Sequence, residues 1–354
     1  MHIAQVAPLY ESVPPRLYGG TERVVCYITE ELVRQGHDVT LFASGDSVTT
    51  GRLVPACRSA LRLDTHCVDR LAAHYLMLEK VLRAAPLFDV IHYHVDYLHF
   101  SLSRRCATPH VTTLHGRLDT PELGPLFREF SEIPLVSVSS SQRAPLAEAN
   151  WQGTVHHGLP LDLLPLDDGK GGYLAFLGRI SPEKRLDRAI EIARRAGMRL
   201  KIAAKVDAVD QTYFDNEIDP LIRQPHVEFI GEIGECAKAE FLGKARALLF
   251  PIDWPEPFGL VMIESLSCGT PVVAFRGGSV EELIEDGVTG FVVDGMDSAV
   301  RAVKRIGEID RRRCRAVFED RFSARRMAAD YLAIYDRVCR PARLSMPLEV
   351  GGAL

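Results

Sequence analysis

Residues 250–275 read FPIDWPEPFGLVMIESLSCGTPVVAF, and the order of residue types in them decides the fold. An apolar strand ends at Phe250, a loop of prolines and acids follows, Gly259 opens a helix, and a β-branched strand returns over 271–274. Strand, helix and strand in so short a span make one unit of a parallel α/β sheet. The stretch also places Glu256 in the loop and Glu264 on the helix, above Leu260 and Val261 at the i−4 and i−3 positions. A buried, unpaired carboxylate costs several kcal/mol, so Glu264 must be partnered, turned to solvent or kept for a ligand.

Outward from this stretch the same rhythm covers nearly the whole chain. Strands are expected near 2–7, 38–43, 89–94, 109–113, 134–138 and 153–156, with a helix from Thr21 to Gln35 that Thr21 caps and Gly36 stops. HHGLPLDLLPLDDGKGG, 156–172, breaks the pattern with glycines, prolines and acids and reads as a linker. A second series follows near 173–177, 199–203, 226–230, 247–250, 271–274 and 289–293. Two domains are therefore expected, at 1–160 and 170–320, with a helix at about 322–340 returning to the first. Open sheets of this kind bind ligands at the carboxyl ends of their strands, which puts a cleft between the two. The linker and the crossing near 320 are the expected hinges.

A chain of 354 residues is comfortable for two cores. With 47% hydrophobic and 25% charged residues it is too apolar for disorder, and it has no uninterrupted apolar run of bilayer length. MHIAQVAPLYESV lacks the flank of a signal peptide and reads as a first strand, so a cytoplasmic protein is expected. Eight cysteines without a C-x-x-C pair argue against a zinc or redox motif. The net charge is −5, yet residues 299–345 hold 13 Arg and Lys against 6 acids. A solvated arginine-rich helix face is the favoured reading of that stretch, a peripheral contact with anionic lipid the alternative, and no nucleic-acid partner is expected.

Four further motifs bear on chemistry. LGRISPEKRLD, 177–187, sits between a strand and a helix, so Arg179 and Lys184 could converge on an anion beside a helix amino terminus; an ordinary turn with two exposed bases is the plainer reading. YGGTERVV, 18–25, sets Gly19 and Gly20 before a helix, where a backbone can approach a ligand closely; it is not G-x-G-x-x-G. HYHVDYLHF, 92–100, carries His92, His94, Asp96 and His99, which no second cluster completes into a metal site, and reads as a polar strand end at the cleft rim. In VTTLHGRLD, 111–119, His115 follows a strand directly, where a reacting group could reach it. With Glu256 near the phosphate-binding loop and Glu264 further along one helix, the ligand that has hydroxyls at both ends and phosphates between is a sugar nucleotide.

Gly-Gly-x-Glu at 19–22, GRISPEK at 178–184, Glu-x7-Glu at 256–264 and GTPVVAFRGGSVEELIEDGVTGFVV at 269–293 together resemble the family 4 retaining glycosyltransferases of the GT-B fold, from the first strand to about residue 340. The resemblance implies two Rossmann-like domains, the first for the acceptor and the second for a nucleoside diphosphate sugar. It implies that Arg179 and Lys184 hold the donor diphosphate, that Glu256 meets the sugar hydroxyls with Phe258, Gly259 and Leu260 supplying backbone contacts, and that Glu264 binds the ribose. His115 is then the histidine beside the sugar, and Gly19 and Gly20 lie near the phosphate and acceptor.

Three departures, HHGLPLD at 156–162, AAKVD at 203–207 and Glu281 where a proline is usual before Glu282, leave donor sugar and acceptor open. The expected reaction is transfer of a sugar, with UDP as the guessed carrier, to an acceptor hydroxyl with retention. His115, Arg179, Lys184 and Glu256 carry it, without metal or cofactor. A GT-B sugar-nucleotide epimerase and a non-catalytic sugar-nucleotide-binding protein are the alternatives.

Overall fold

A computed structural model of the chain describes residues 1–344 apart from Tyr18 and Leu63. Tyr18, which opens the paired-glycine motif, and Ser345, the end of the basic stretch, lie outside the described residues.

The first sheet contains β1 (His2–Val6), β2 (Asp38–Ser44), β3 (Arg52–Cys57), β4 (Val90–Tyr93), β5 (His110–Thr113), β6 (Leu135–Ser137) and β7 (Trp151–Thr154) in the order β3-β2-β1-β4-β5-β6-β7. The second contains β8 (Tyr173–Ile180), β9 (Arg199–Val206), β10 (Val227–Gly231), β11 (Ala247–Phe250), β12 (Val272–Phe275) and β13 (Gly290–Val293) in the order β10-β9-β8-β11-β12-β13. Every pairing is parallel. Strands covered by helices on both faces must be apolar throughout, which is why Val90, Val111, Val136, Leu174, Leu248 and Val272 are all buried. In each sheet the order reverses beside its first strand, between β1 and β4 and between β8 and β11, so a crevice opens there at the carboxyl ends.

The sequence reading passes over β3. It pairs with β2 alone, is only partly buried and contains Pro55, which has no N–H for a ladder, so neither alternation nor a continuous apolar run marks it. The first helix spans Gly20–Arg34 and begins one residue before the expected cap; Gly19 stands at its N-cap with no side-chain bond, and Thr21 lies in the first turn.

The last helix runs Ala324–Leu344 and packs on helix Gly20–Arg34 and on β5, across the first sheet. Met327, Tyr331, Ile334 and Tyr335 are buried, each worth roughly 1.5–3 kcal/mol relative to exposure. Two buried phenols also need polar partners: Tyr335 OH meets Gln5 Nε2 at 3.1 Å and His92 Nδ1 at 2.7 Å, and Tyr331 OH meets Thr113 Oγ1 at 3.0 Å.

The chain passes between the sheets twice, and the two passages touch. Leu159 N–H donates to Phe322 O and Ala324 N–H to Leu159 O, both at 2.8 Å. A Cβ on Gly158 would stand 2.3 Å from Ser323 O, so only glycine allows this approach.

The arginine-rich helix Arg311–Arg321 is not simply a solvated face. Arg312 and Arg313 are exposed, but Arg311 donates to the carbonyls of Gly243, Ala245 and Asp167 at 2.6–2.9 Å, and Arg315 to those of Leu161, Leu164 and Ser267 at 2.6–2.8 Å. The i,i+4 pair clamps the segment joining the sheets, satisfying carbonyls that irregular backbone leaves open. Among the described residues no helix is long and apolar enough to cross a membrane.

Candidate active site between the two sheets

A cavity of about 240 Å³ lies between the carboxyl ends of the two sheets. The first domain lends it Gly19, Gly20, Thr21 and Arg23 from the start of helix Gly20–Arg34, and His115 from the loop after β5. The second lends Gly178 of β8, Lys184, Lys205 of β9, Lys238, the run Glu256–Val261, and Glu264.

The loop 256–259 is held by its neighbours rather than by its own sequence. Ser279 Oγ donates to Phe258 O and Ser139 Oγ to Pro257 O, both at 2.6 Å, while Ser279 N–H donates to Glu256 O at 3.0 Å. Gly278 (φ 56°) allows this packing, since a Cβ there would lie 2.2 Å from Glu256 O. Gly259 (φ 81°) then turns the chain into helix Leu260–Ser267, where no side chain caps the N-terminus. The first N–H groups of a helix have no partner within it and carry a partial positive charge, so this end suits an anion.

Both glutamates that the sequence raised are buried and paired. Glu256 Oε2 takes Lys184 Nζ as its ion partner and accepts from Trp254 Nε1–H at 2.9 Å, with the ammonium 4.9 Å from the Trp254 ring centre. Glu264 Oε1 accepts from Lys238 Nζ at 2.6 Å. Burial, together with repulsion from Arg23, holds Lys238 below the usual ammonium range against the pull of Glu264. Lys238 also lies 3.6 Å from Glu235, which is ion-paired to Arg23 of the other domain. Opposite, Glu282 accepts from the N–H groups of Ser140 and Ser141 at 2.8 Å, so polar contacts join the domains on both sides.

Arg179 does not join this group. It is absent from the cavity lining; its guanidinium lies 2.5 Å from Glu183, with Asp207 and Asp210 at 3.7 and 3.9 Å. Conversely, Arg23, Lys205 and Lys238 line the cavity and were not singled out in the sequence. Arg23 sits inside the quoted YGGTERVV, and Lys205 ends a strand beside β8, where position alone was a signal; nothing local marks Lys238.

His115 is the one predicted histidine in the cavity. Burial pushes its pKa down to about 3, so it is neutral near pH 7. Its ring stacks on His157 at 5.3 Å, and its Nε2 lies 2.9 Å from His94 Nδ1. His92, His94 and His99 are buried, not at a rim: His99 is bonded to Ser103 and Thr112, and His92 to Tyr335 and Thr113. No group of three or more His, Cys, Asp or Glu among the described residues is arranged to hold a metal.

Two parallel α/β sheets that both contribute side chains to one cavity give the GT-B architecture of glycosyltransferases. Residues 18–145 match the profile of Glycosyltransferase Family 4, and residues 166–317 that of Glycosyl transferases group 1. The chain belongs to the family 4 glycosyltransferases. It is 26% identical to the phosphatidyl-myo-inositol mannosyltransferase of Mycolicibacterium smegmatis over 96% of this chain and 93% of that one. It is also 26% identical to the glycogen synthase of Mycobacterium tuberculosis, over 86% of each. HepE of Anabaena, solved in complex with UDP and glucose, superposes with a TM-score of 0.74 at 18% identity, covering 95% of this chain and all (100%) of that one.

Proposed function

We propose that this enzyme transfers a hexosyl unit from a UDP-sugar to an acceptor hydroxyl with retention at the anomeric carbon. The observation that carries the reading is the convergence of His115, Gly19 and Gly20 from one sheet with Lys184, Glu256, Gly259 and Glu264 from the other in one cavity. The diphosphate lies at the helix end after Gly259, against Lys184, where positive charge is most useful as the bond to the leaving group breaks. Lys205 adds to that charge. Arg179, next to the cavity-lining Gly178, reaches the diphosphate by exchanging a carboxylate partner for phosphate. These cations do the work a divalent ion does elsewhere, so activity survives chelation.

Glu256 takes the sugar hydroxyls with backbone help from Phe258 and Leu260, and Glu264 takes the ribose. His115, neutral, shares a hydrogen bond with the sugar and brings no charge. With Glu256 tied to Lys184 and Trp254 and Glu264 to Lys238, neither of these carboxylates is held ready as a nucleophile, which favours same-face attack through an oxocarbenium-like state over a covalent intermediate. The UDP assignment is supported by HepE, which holds UDP and glucose on the same fold.

Calorimetry with UDP and release of UDP from UDP-glucose, measured on the same folded variants, tests the division of the ligand. Lys184→Ala weakens UDP binding and slows release together; Glu256→Gln keeps UDP affinity nearly intact and cuts release. Equal loss of UDP binding in both variants would show that Glu256 does not serve the sugar.

A further inference from the structure

Behind His115 runs a continuous line of hydrogen bonds that ends on the last helix. His115 Nε2 lies 2.9 Å from His94 Nδ1; His94 Nε2 lies 2.8 Å from Gln5 Oε1; Gln5 Nε2 donates to Tyr335 OH at 3.1 Å; Tyr335 OH lies 2.7 Å from His92 Nδ1. Gln5, His92, His94 and Tyr335 are all buried, at 0–2% exposure, so their polar atoms must find partners within the protein, and His92 Nε2 finds its own in Thr113 Oγ1 at 2.7 Å.

The directions follow from the amide. Gln5 Oε1 is an acceptor only, so His94 must carry its proton on Nε2. A neutral imidazole holds one proton, and burial keeps His94 neutral, so His94 Nδ1 is a bare acceptor. His115 must then donate to it from Nε2, which leaves His115 Nδ1 as a lone pair. At the other end Tyr335, having accepted from Gln5, donates its own proton to His92 Nδ1.

We propose that Gln5, His94 and Tyr335 are positioning residues that fix His115 as its Nε2–H tautomer, so that the ring meets the donor sugar with the Nδ1 lone pair. The inference rests on the reading that His115 stands beside that sugar. It adds a selectivity: the ring accepts a hydrogen bond from a sugar hydroxyl, and a donor lacking that hydroxyl leaves the lone pair unmatched. It also makes a residue on the last helix part of the control of the site, since Tyr335 OH is the partner that holds the Gln5 amide on the side away from His94.

Two-bond ¹H–¹⁵N spectra of protein labelled at histidine read the tautomer directly, with or without UDP. The expected wild-type spectrum shows His115 protonated at Nε2 and bare at Nδ1. Tyr335→Phe, nearly the same shape, frees the Gln5 amide to turn; the two His115 nitrogen signals then move toward each other and UDP release from UDP-glucose slows several-fold while UDP affinity holds. His94→Leu does the same, and His94→Asn, which restores an acceptor oxygen near the Nδ1 position, returns His115 toward the Nε2–H form. A wild-type His115 protonated at Nδ1, the outcome if the amide points the other way, overturns the proposal; so do unchanged His115 signals in Tyr335→Phe. If the signals move as expected but UDP release does not change, the line of hydrogen bonds stands and the placement of His115 beside the sugar falls.

Discussion

Glu264→Gln separates a structural carboxylate from a binding one, because the structure gives it a partner whose fate can be followed. Removing the carboxylate leaves Lys238 buried with Glu235 at 3.6 Å as its remaining partner. Breaking a buried pair from one side costs roughly 3–5 kcal/mol, and the surviving neighbour places this case near the lower end, about 3 kcal/mol. The cost also has a ceiling, since the lysine can shed its proton instead. From an ordinary pKa near 10.4 this takes about 1.36 kcal/mol per unit, hence about 4.6 kcal/mol at pH 7 and about 1.9 kcal/mol at pH 9. A lysine whose pKa is lower in the folded than in the unfolded state gives stability that rises with pH, so the penalty of Glu264→Gln must shrink between pH 7 and 9. Urea unfolding without ligand, followed by the fluorescence of Trp254 in the second domain, reads the effect. Glu264→Gln/Lys238→Met should recover most of the loss, and if it still fails to bind UDP in calorimetry, Glu264 serves the ligand as well as the lysine. A penalty below about 1 kcal/mol at pH 7, or one that neither pH nor Lys238→Met relieves, would refute the reasoning.

Burial raises Glu22 to about 7, above its ordinary 4.5, so its contribution is complete below pH 4.5 and is lost as pH rises through 7. Glu22→Gln therefore stabilises the fold by up to about 3 kcal/mol above pH 7 and by nothing near pH 4.5, which melting curves at the two pH values check. Gly158→Ala forces a methyl into the Ser323 backbone and should cost at least about 2 kcal/mol, seen as a lower melting temperature, while Gly116→Ala, with open space around it, should not. Transfer should persist in EDTA, and the fresh product should keep the donor's anomeric configuration by NMR; loss of activity restored by Mg²⁺ would overturn the charge assignment to Lys184 and Lys205.

Where burial is two-sided and local, the sequence was legible. Twelve of the thirteen strands declare themselves as short apolar or β-branched runs between turn signals, and β3 does not, because an edge strand interrupted by Pro55 shows no such run. Lys184, Glu256 and Glu264 were legible since loop and helix N-terminus lie within a few residues of them. Arg23 was not, because the meeting of two domains brings it to Glu235, and Lys238 was not, because it reaches Glu264 only through the packing of two helices of the second domain. Arg179 shows the converse: its motif is local and so is its nearest carboxylate, Glu183, while Asp207 and Asp210, which add to the pull away from the cavity, arrive from the end of β9 and beyond. The histidines of 92–99 read as a cluster until separate partners divide them: Tyr335 of the last helix, more than two hundred residues later, for His92, Gln5 for His94, and Ser103 and Thr112 for His99.

That last helix has a consequence for the order of synthesis. Gln5 is made 330 residues before Tyr335, which at roughly 5–20 residues per second is an interval of about 15–65 s. Once β7 has emerged, the first sheet has all its strands but not its last helix, and Gln5, His92 and Thr113 wait for the tyrosines that partner them. The second sheet has all its strands by Val293, before the last helix is made. A finished first domain thus waits on the last stretch of the nascent chain, and where chains are concentrated enough to compete with the tethered helix, the vacant groove can take the matching helix of another copy. Exchange of this helix between chains, giving swapped dimers during rapid refolding at high concentration, is the characteristic failure this topology invites.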